Sequence, residues 1–227
     1  MKMSAAHRDL PGRVLLRGWL SERNQYPERL EEIDAKIRAQ FERPLAILVL
    51  DMVGFSSLSR KLGIIAYLAM IAEMAAAARP AVEANGGKVI KLEADNLFAV
   101  FDGPEAALEA ALDIFRAFDA INGVVPDDHD IFGSIGIGQG PTLVIDDEDL
   151  FGCEVNLASK LGEDIAAASE ILLTEAAFNA LTPGRYGFDA CREVIGGATH
   201  DFHRFRACLD SDGNALESRR SPVPARG

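Results

Sequence analysis

Six apolar residues run unbroken from Leu45 to Leu50, stop at Asp51, and are followed by Gly54 and the stretch "FSSLS". A run without polar alternation predicts a strand over 45–52 that is covered on both faces. Residues 56–78, rich in Ala, Leu and Met, read as helical with a break near Gly63. "GGKVIKLE" (86–93) and "NLFAVFD" (96–102) read as two strands joined at Ala94-Asp95, a hairpin. Residues 104–121 open with Pro104, continue in good helix formers and precede Gly123, which together mark a helix. "IFGSIGIGQG" (131–140) alternates as a strand does, and "PTLVID" (141–146) is expected to return beside it. Beyond it, 154–165 reads as a helix, 170–175 as a strand and 176–181 as a short helix. "RYGFDA" and "HDFHRFRA" read as a last strand pair.

Ahead of the first strand the pattern is weaker. Residues 1–25 carry little periodicity. Over 27–42, Pro27 suits a first helical turn, and Leu30, Ile33, Ile37 and Phe41 share one stripe. That stripe either packs on the chain's own domain or makes a dimerising or coupling helix; the sequence leaves both open. After Asp210 the residues, including "SPVPARG", are expected to be disordered. Hairpins mixed with helices, rather than strict strand–helix alternation, predict an α+β sandwich with helices on a mostly antiparallel sheet.

Composition narrows the function. The 227 residues suffice for one medium domain with a substantial core. A formal net charge of −12 excludes a general nucleic-acid binder, which needs surplus Lys and Arg. It leaves room for a nucleotide, since a bound metal supplies positive charge locally. Cys153, Cys191 and Cys208 form no metal-ligand spacing and read as buried, reduced thiols of a cytoplasmic protein. No unbroken window of roughly 18 apolar residues predicts membrane insertion, and the N-terminus has no signal-peptide core. The four histidines show no metal spacing.

The chemistry concentrates on two acids. Asp51 ends a strand and Asp95 lies in a hairpin turn, both where a sheet edge meets solvent. If the strands are neighbours, the carboxylates meet, and they repel unless a cation lies between them. Few hard oxygen donors suit Mg²⁺ or Mn²⁺ completed by water and phosphate oxygens. Taken singly, each has an ordinary explanation: Asp51 as a helix cap, Asp95 as a turn residue. The Gly54 loop before a helix, with backbone N–H groups to offer phosphate, tips the pair toward a metal–phosphate site. "GIGQG" (136–140) is weak evidence for phosphate; alternate glycines in a strand mark close backbone approach, and a dimer interface is the expected place.

"LDMVGFSSLS", then "GGKVIKLEADNLFAVF", then "DLFGCEVNLASKL" resembles the catalytic domain of the class III adenylate/guanylate cyclases over roughly residues 45–206. The resemblance implies a ferredoxin-like domain acting as a head-to-tail homodimer with active sites at the interface. It divides the chain into an N-terminal segment (1–44), a catalytic domain (45–208) and a tail (209–227). It implies that Asp51 and Asp95 bind two Mg²⁺ or Mn²⁺ ions, with the Met52 carbonyl as a further ligand. The loop Val53, Gly54, Phe55 and Ser56 would wrap the terminal phosphates. Lys91 and Asp149 occupy the purine-selecting places, Asn156 the ribose-orienting one, and Lys160 stands where an arginine usually contacts the phosphate.

Lys91 is donor-only and suits adenine N1; ionised Asp149 is acceptor-only and suits the N6 amine. The expected activity is therefore ATP to 3′,5′-cyclic AMP and pyrophosphate. Two departures keep alternatives in view. Lysine at 160 lacks arginine's planar fork, and Ala94 replaces the glycine usually found before the second metal aspartate. These favour a weak or inactive nucleotide-binding regulator as one alternative; a guanylate cyclase is another. Arg192 and Arg204 are candidates for a further phosphate contact, and the N-terminal helix for contact with a regulatory partner.

Overall fold

A computed structural model describes residues 10–54, 60, 63–126, 129–210 and 212–220, the side chains of 217–220 excepted. Its centre is a split β-α-β-β-α-β unit. Strand β1 (Glu42–Met52) leads, after the loop, to helix α3 (Ile64–Ala84), then to β2 (Lys88–Glu93) and β3 (Asn96–Phe101). Helix α4 (Pro104–Asn122) and strand β4 (Gly133–Ile145) complete it. The sheet order β2-β3-β1-β4, antiparallel throughout, is the ferredoxin-like arrangement expected from the sequence. Beyond β4 the sheet continues through β6 (Ile171–Thr174), β8 (Ala198–Leu209) and β7 (Tyr186–Ile195).

The unbroken apolar run of β1 follows from burial on two sides. Leu48, Leu50 and Met52 face α3 and α4, in a core with Met74, Leu97, Phe101, Leu108 and Phe115. Ile47 and Val49 face the other way, with Ile90, Phe98, Leu150, Val155 and Ala158. That second cover comes from β5 (Asp149–Phe151) and α5 (Cys153–Lys160). Helix α5 lies directly on β4 because the strand offers glycines there. A Cβ on Gly136 would collide with the carbonyl of Ala158, and one on Gly138 would lie 2.7 Å from that of Glu154. The alternate glycines thus mark a close approach of backbone within the chain.

Several elements differ from the sequence reading. β4 is one strand of 13 residues. It passes through Pro141 because Pro44 on β1 lies opposite, so both missing N–H donors fall on one rung. The returning strand is the short β5. Residues 12–25 form helix α1 (Gly12–Gln25), whose weak stripe concealed it. Helix α2 (Leu30–Phe41) follows a 3₁₀ turn at Pro27–Arg29. Ile33, Ile37 and Phe41 pack with Leu15 of α1 and Ile145 of β4, so the stripe is core of this chain. The expected disordered tail contains β9 (Ala215–Arg220), paired with β8. Helix α3 is long and apolar enough to cross a membrane by length and composition. Glu73 and Arg79 keep it from being an unbroken apolar window. Here Tyr67, Met70, Met74, Ala78 and Val82 place one side of it in the core. Of the cysteines expected to be buried, Cys208 is, Cys191 is half-buried and Cys153 is exposed.

Helix α1 is pinned by a residue far along the chain. Both carboxylate oxygens of Asp146 accept from its first backbone amides, Gly12 at 2.7 Å and Arg13 at 2.9 Å. An acid there satisfies orphan N–H groups and complements the helix dipole. Asp146 and Asp147 both have positive φ, which Asp tolerates better than most residues. Asp147 in turn reaches Lys88 of β2 at 2.7 Å. The β4–β5 turn is thereby held from two sides.

Candidate active site

The two acids singled out in the sequence do meet. Asp51, one residue from the end of β1, lies opposite Asn96 of β3, the residue after Asp95. Burial first, then the charges of Asp95, Glu163 and Asp164, push the Asp51 carboxyl up to about 7. Glu163 is raised as well, by burial and then by Asp164 and Asp95. Glu163 and Asp164 were not anticipated. They sit on a π-helical turn, Leu161–Ile165, that follows α5, a local widening often found at functional sites. Gly162 permits it: a Cβ there would lie 3.0 Å from the Gly136 amide nitrogen.

Asp95 has a buried partner. The Tyr67 hydroxyl of α3 donates to Asp95 Oδ2 at 2.8 Å. Burial and this bond raise the Tyr67 pKa, so the phenol remains a donor. The signal in the sequence was one phenol on an otherwise apolar helix stripe, since a buried hydroxyl seeks a partner. Ala94, just before Asp95, has φ +53°. Positive φ at the first position only is the pattern of a type II′ turn, where glycine is preferred. The steric penalty foreseen for alanine is therefore present.

The side-chain oxygens here are those of Asp51, Asp95 and the buried Asn96 Oδ1, which has no hydrogen-bond partner among the described residues; the Met52 carbonyl is the further donor expected from the sequence. Among the described residues, no three His, Cys, Asp or Glu side chains form a cage for an ion. A short, all-oxygen set suits a hard cation that keeps water and takes phosphate oxygens, and the residues fit Mg²⁺ or Mn²⁺ in that sense. Of the loop, the Val53 amide donates to the Phe132 carbonyl at 2.8 Å. Gly54 is exposed with φ +99°. Phe55 and Ser56 lie outside the described residues.

The second constellation joins Lys91 and Asp149. A bulge in β2 between Val89 and Lys91 sets Lys91 opposite Phe98, with its ammonium 4.8 Å from that ring's centroid. β5 crosses the outer face of the sheet, so Lys91 Nζ lies 3.0 Å from Asp149 Oδ1 and 2.7 Å from Glu93 Oε2. Burial works to lower the Lys91 pKa, but the bonds to Glu93 and Asp149 outweigh it and the pKa is raised. A donor-only and an acceptor-only group are thus held side by side.

Asn156 and Lys160 are exposed on α5, one helical turn apart, with Lys160 Nζ 3.6 Å from Asp164. The candidates for a further phosphate contact are engaged elsewhere. Arg192 pairs with Asp201 at 2.5 Å and Arg204 with Glu170 at 3.1 Å. His203 stacks on Phe178 and bonds Glu175, away from these acids.

The model of the adenylate and guanylate cyclase catalytic domain matches residues 37–198, well over half the chain, so this chain belongs to that family. A protein of Rhizobium meliloti (strain 1021), "Putative adenylate cyclase 3", is 30% identical over 119 residues. That match covers 52% of this chain but 20% of the relative, so the chain spans about one fifth of that protein's length. Among solved structures, the adenylate/guanylate cyclase/hydrolase of Silicibacter pomeroyi is 26% identical, with TM-score 0.59, covering 72% of this chain and 95% of that one. The guanylate cyclase domain from Catenaria anguillulae, solved with GTP, is 18% identical with TM-score 0.63, covering 74% and 98%. A rhodopsin-guanylyl cyclase core of converted specificity, solved with ATPαS, is 18% identical with TM-score 0.65, also covering 74% and 98%. The last two likenesses concern the fold.

Two outcomes follow from the site itself. Ala94→Gly removes the left-handed strain and raises stability by about 1 kcal/mol, net of glycine's greater freedom when unfolded, as urea denaturation will read. For Asp51, the folded pKa of about 7 exceeds its ordinary value of 3.8. Its contribution is therefore fully present below pH 3.8 and lost as pH rises through about 7. Without divalent metal, melting temperature falls across that window for the native chain. Asp51→Asn removes that part of the slope, and Mg²⁺ restores more stability at the alkaline end.

Proposed function

We propose that the chain is an adenylate cyclase, converting ATP to 3′,5′-cyclic AMP and pyrophosphate as a homodimer with Mg²⁺ or Mn²⁺. The observation that carries the choice of ATP is the Lys91–Asp149 pair, 3.0 Å apart. Lys91 donates to the acceptor at adenine N1, and Asp149 accepts from the N6 amine. Guanine, with a protonated N1 and a carbonyl at position 6, presents the reverse pattern. The adenylate cyclase description of the Rhizobium relative agrees with this reading.

In this reading Asp51, Asp95 and the Met52 carbonyl hold the ions, and the loop from Val53 to Ser56 wraps the terminal phosphates. The ions, when bound, supply charge neutralisation on the phosphates and a lowered pKa for the ribose 3′-hydroxyl. The remaining residues position the substrate. Asn156 orients the ribose so that its 3′-oxygen stands in line with the α-phosphorus, opposite the departing pyrophosphate. Lys160 offers positive charge to the phosphate; as a point charge it stabilises the transition state less well than a bidentate arginine. Lys91, Asp149, Asn156 and Lys160 come from one subunit and the acids from the other. The protein acts in the cytoplasm.

A second reading is a nucleotide-binding regulator with little or no turnover. The strained Ala94 beside a metal aspartate favours it, as does the Lys160–Asp164 pairing. Incubating purified chain with Mn²⁺ and either ATP or GTP separates the readings. Cyclic AMP is expected from ATP, is lost in Asp51→Ala and Asp95→Ala, and gives way to cyclic GMP in Lys91→Glu combined with Asp149→Cys. ATP binding without any cyclic product supports the regulator. Unchanged base preference in the double variant contradicts the selector assignment.

A further inference from the structure

We propose that Tyr67 is a positioning residue for Asp95, its hydroxyl fixing which carboxylate oxygen is turned toward the divalent-cation site. The inference rests on the assignment of Asp95 as a metal-binding residue and adds to it a residue on a different element.

Tyr67 is completely buried, in the core that α3 shares with α4 and the sheet. Phenylalanine would fill that space equally well. A buried hydroxyl is unfavourable there unless it is bonded, because it gives up water for nothing. The partner it finds lies 28 residues on, Asp95 Oδ2 at 2.8 Å. The direction of the bond is fixed by chemistry: an ionised carboxylate only accepts, so the phenol donates.

Asp95 needs such a constraint more than Asp51 does. Asp51 lies within a strand laddered on both sides, to Asn96 and to Ser134. Asp95 lies at the tip of a two-residue turn between Glu93 and Asn96, beside an alanine held at positive φ. A side chain at a turn tip has several rotamers open to it. Tyr67 selects one, with Oδ2 engaged and Oδ1 left for an ion. Partners of this kind around metal-binding groups typically matter 10–100-fold in affinity.

The bond also joins the site to α3. Tyr67 is in the first turn of that helix, its amide bonded to the Gly63 carbonyl at 3.2 Å where the helix begins. Any shift of the start of α3 is therefore felt at Asp95.

The test is Tyr67→Phe, which keeps the ring and deletes the bond. Mn²⁺ affinity is measured on the full chain by electron paramagnetic resonance of free Mn²⁺, with 3′-deoxy-ATP present so that no cyclisation occurs. The expected result is a Kd for Mn²⁺ raised by about tenfold or more. In turnover with ATP, the Mn²⁺ concentration for half-maximal rate should rise similarly, while kcat at saturating Mn²⁺ changes less. A purely packing role would move the melting temperature and leave the Mn²⁺ Kd alone. Should Tyr67→Phe not fold by circular dichroism, Tyr67→Met, a flexible side chain without the hydroxyl, is read in the same way. Native binding with a Kd unchanged in the variant overturns the inference alone. No Mn²⁺ binding by the native chain overturns the assignment of Asp95 and this inference together.

Discussion

A carboxylate at the end of a buried strand, close to a second carboxylate, is a poor arrangement for a protein on its own. Asp51 carries the cost of burial and of like charge at once, which is why its carboxyl is pushed up to about 7. The ladder gives it little freedom to escape, because β1 is paired on both sides to its last residues. The surroundings make matters worse, with Glu163 and Asp164 adding negative charge. A hard cation bound there would remove the repulsion and engage the carboxylate oxygens together. The strain is thus informative: it is tolerable in a site whose working state holds positive charge.

The rest of the architecture serves placement. Glycines at 136 and 138 let α5 settle onto β4 with backbone against backbone, which brings Asn156 and Lys160 to the same side of the sheet as β5. The bulge in β2 and the crossing of β5 bring Lys91 and Asp149 together although β2 and β4 are separated in the sheet by two strands. The turn that carries β5 is braced by the α1 amides on Asp146 and by Lys88 on Asp147. Tyr67 ties α3 to Asp95 from below. Each of these devices fixes a polar group by means of a backbone feature some distance away in the chain.

Much of this was legible in the sequence. The run from Leu45 to Leu50 and the Ala94-Asp95 hairpin were foretold as strands, while their adjacency was left conditional; the pairing that sets Asp51 opposite Asn96 supplied it. The conditional expectation about Ala94 became a definite one once its φ was positive. What stayed hidden depended on partners distant in sequence. β4 read as broken at Pro141, since its register with Pro44 is invisible in one dimension. α1 has a narrow apolar stripe, and its cap is supplied by a residue 134 positions away. The tyrosine hydroxyl was submerged in an apolar helix pattern. Glu163 and Asp164 lie on a π turn that follows the helix, and their influence on Asp51 depends on a tertiary approach that the sequence does not display.

The central claim, that Asp51 and Asp95 form a cation-dependent pair, is tested most directly by carbon-13 NMR of the Asp51 carboxyl across pH, with and without Mg²⁺. The account predicts a midpoint near 7 in the absence of metal, moving well down when Mg²⁺ and a non-cyclising ATP analogue are added. A midpoint near the ordinary 3.8, indifferent to Mg²⁺, would contradict it.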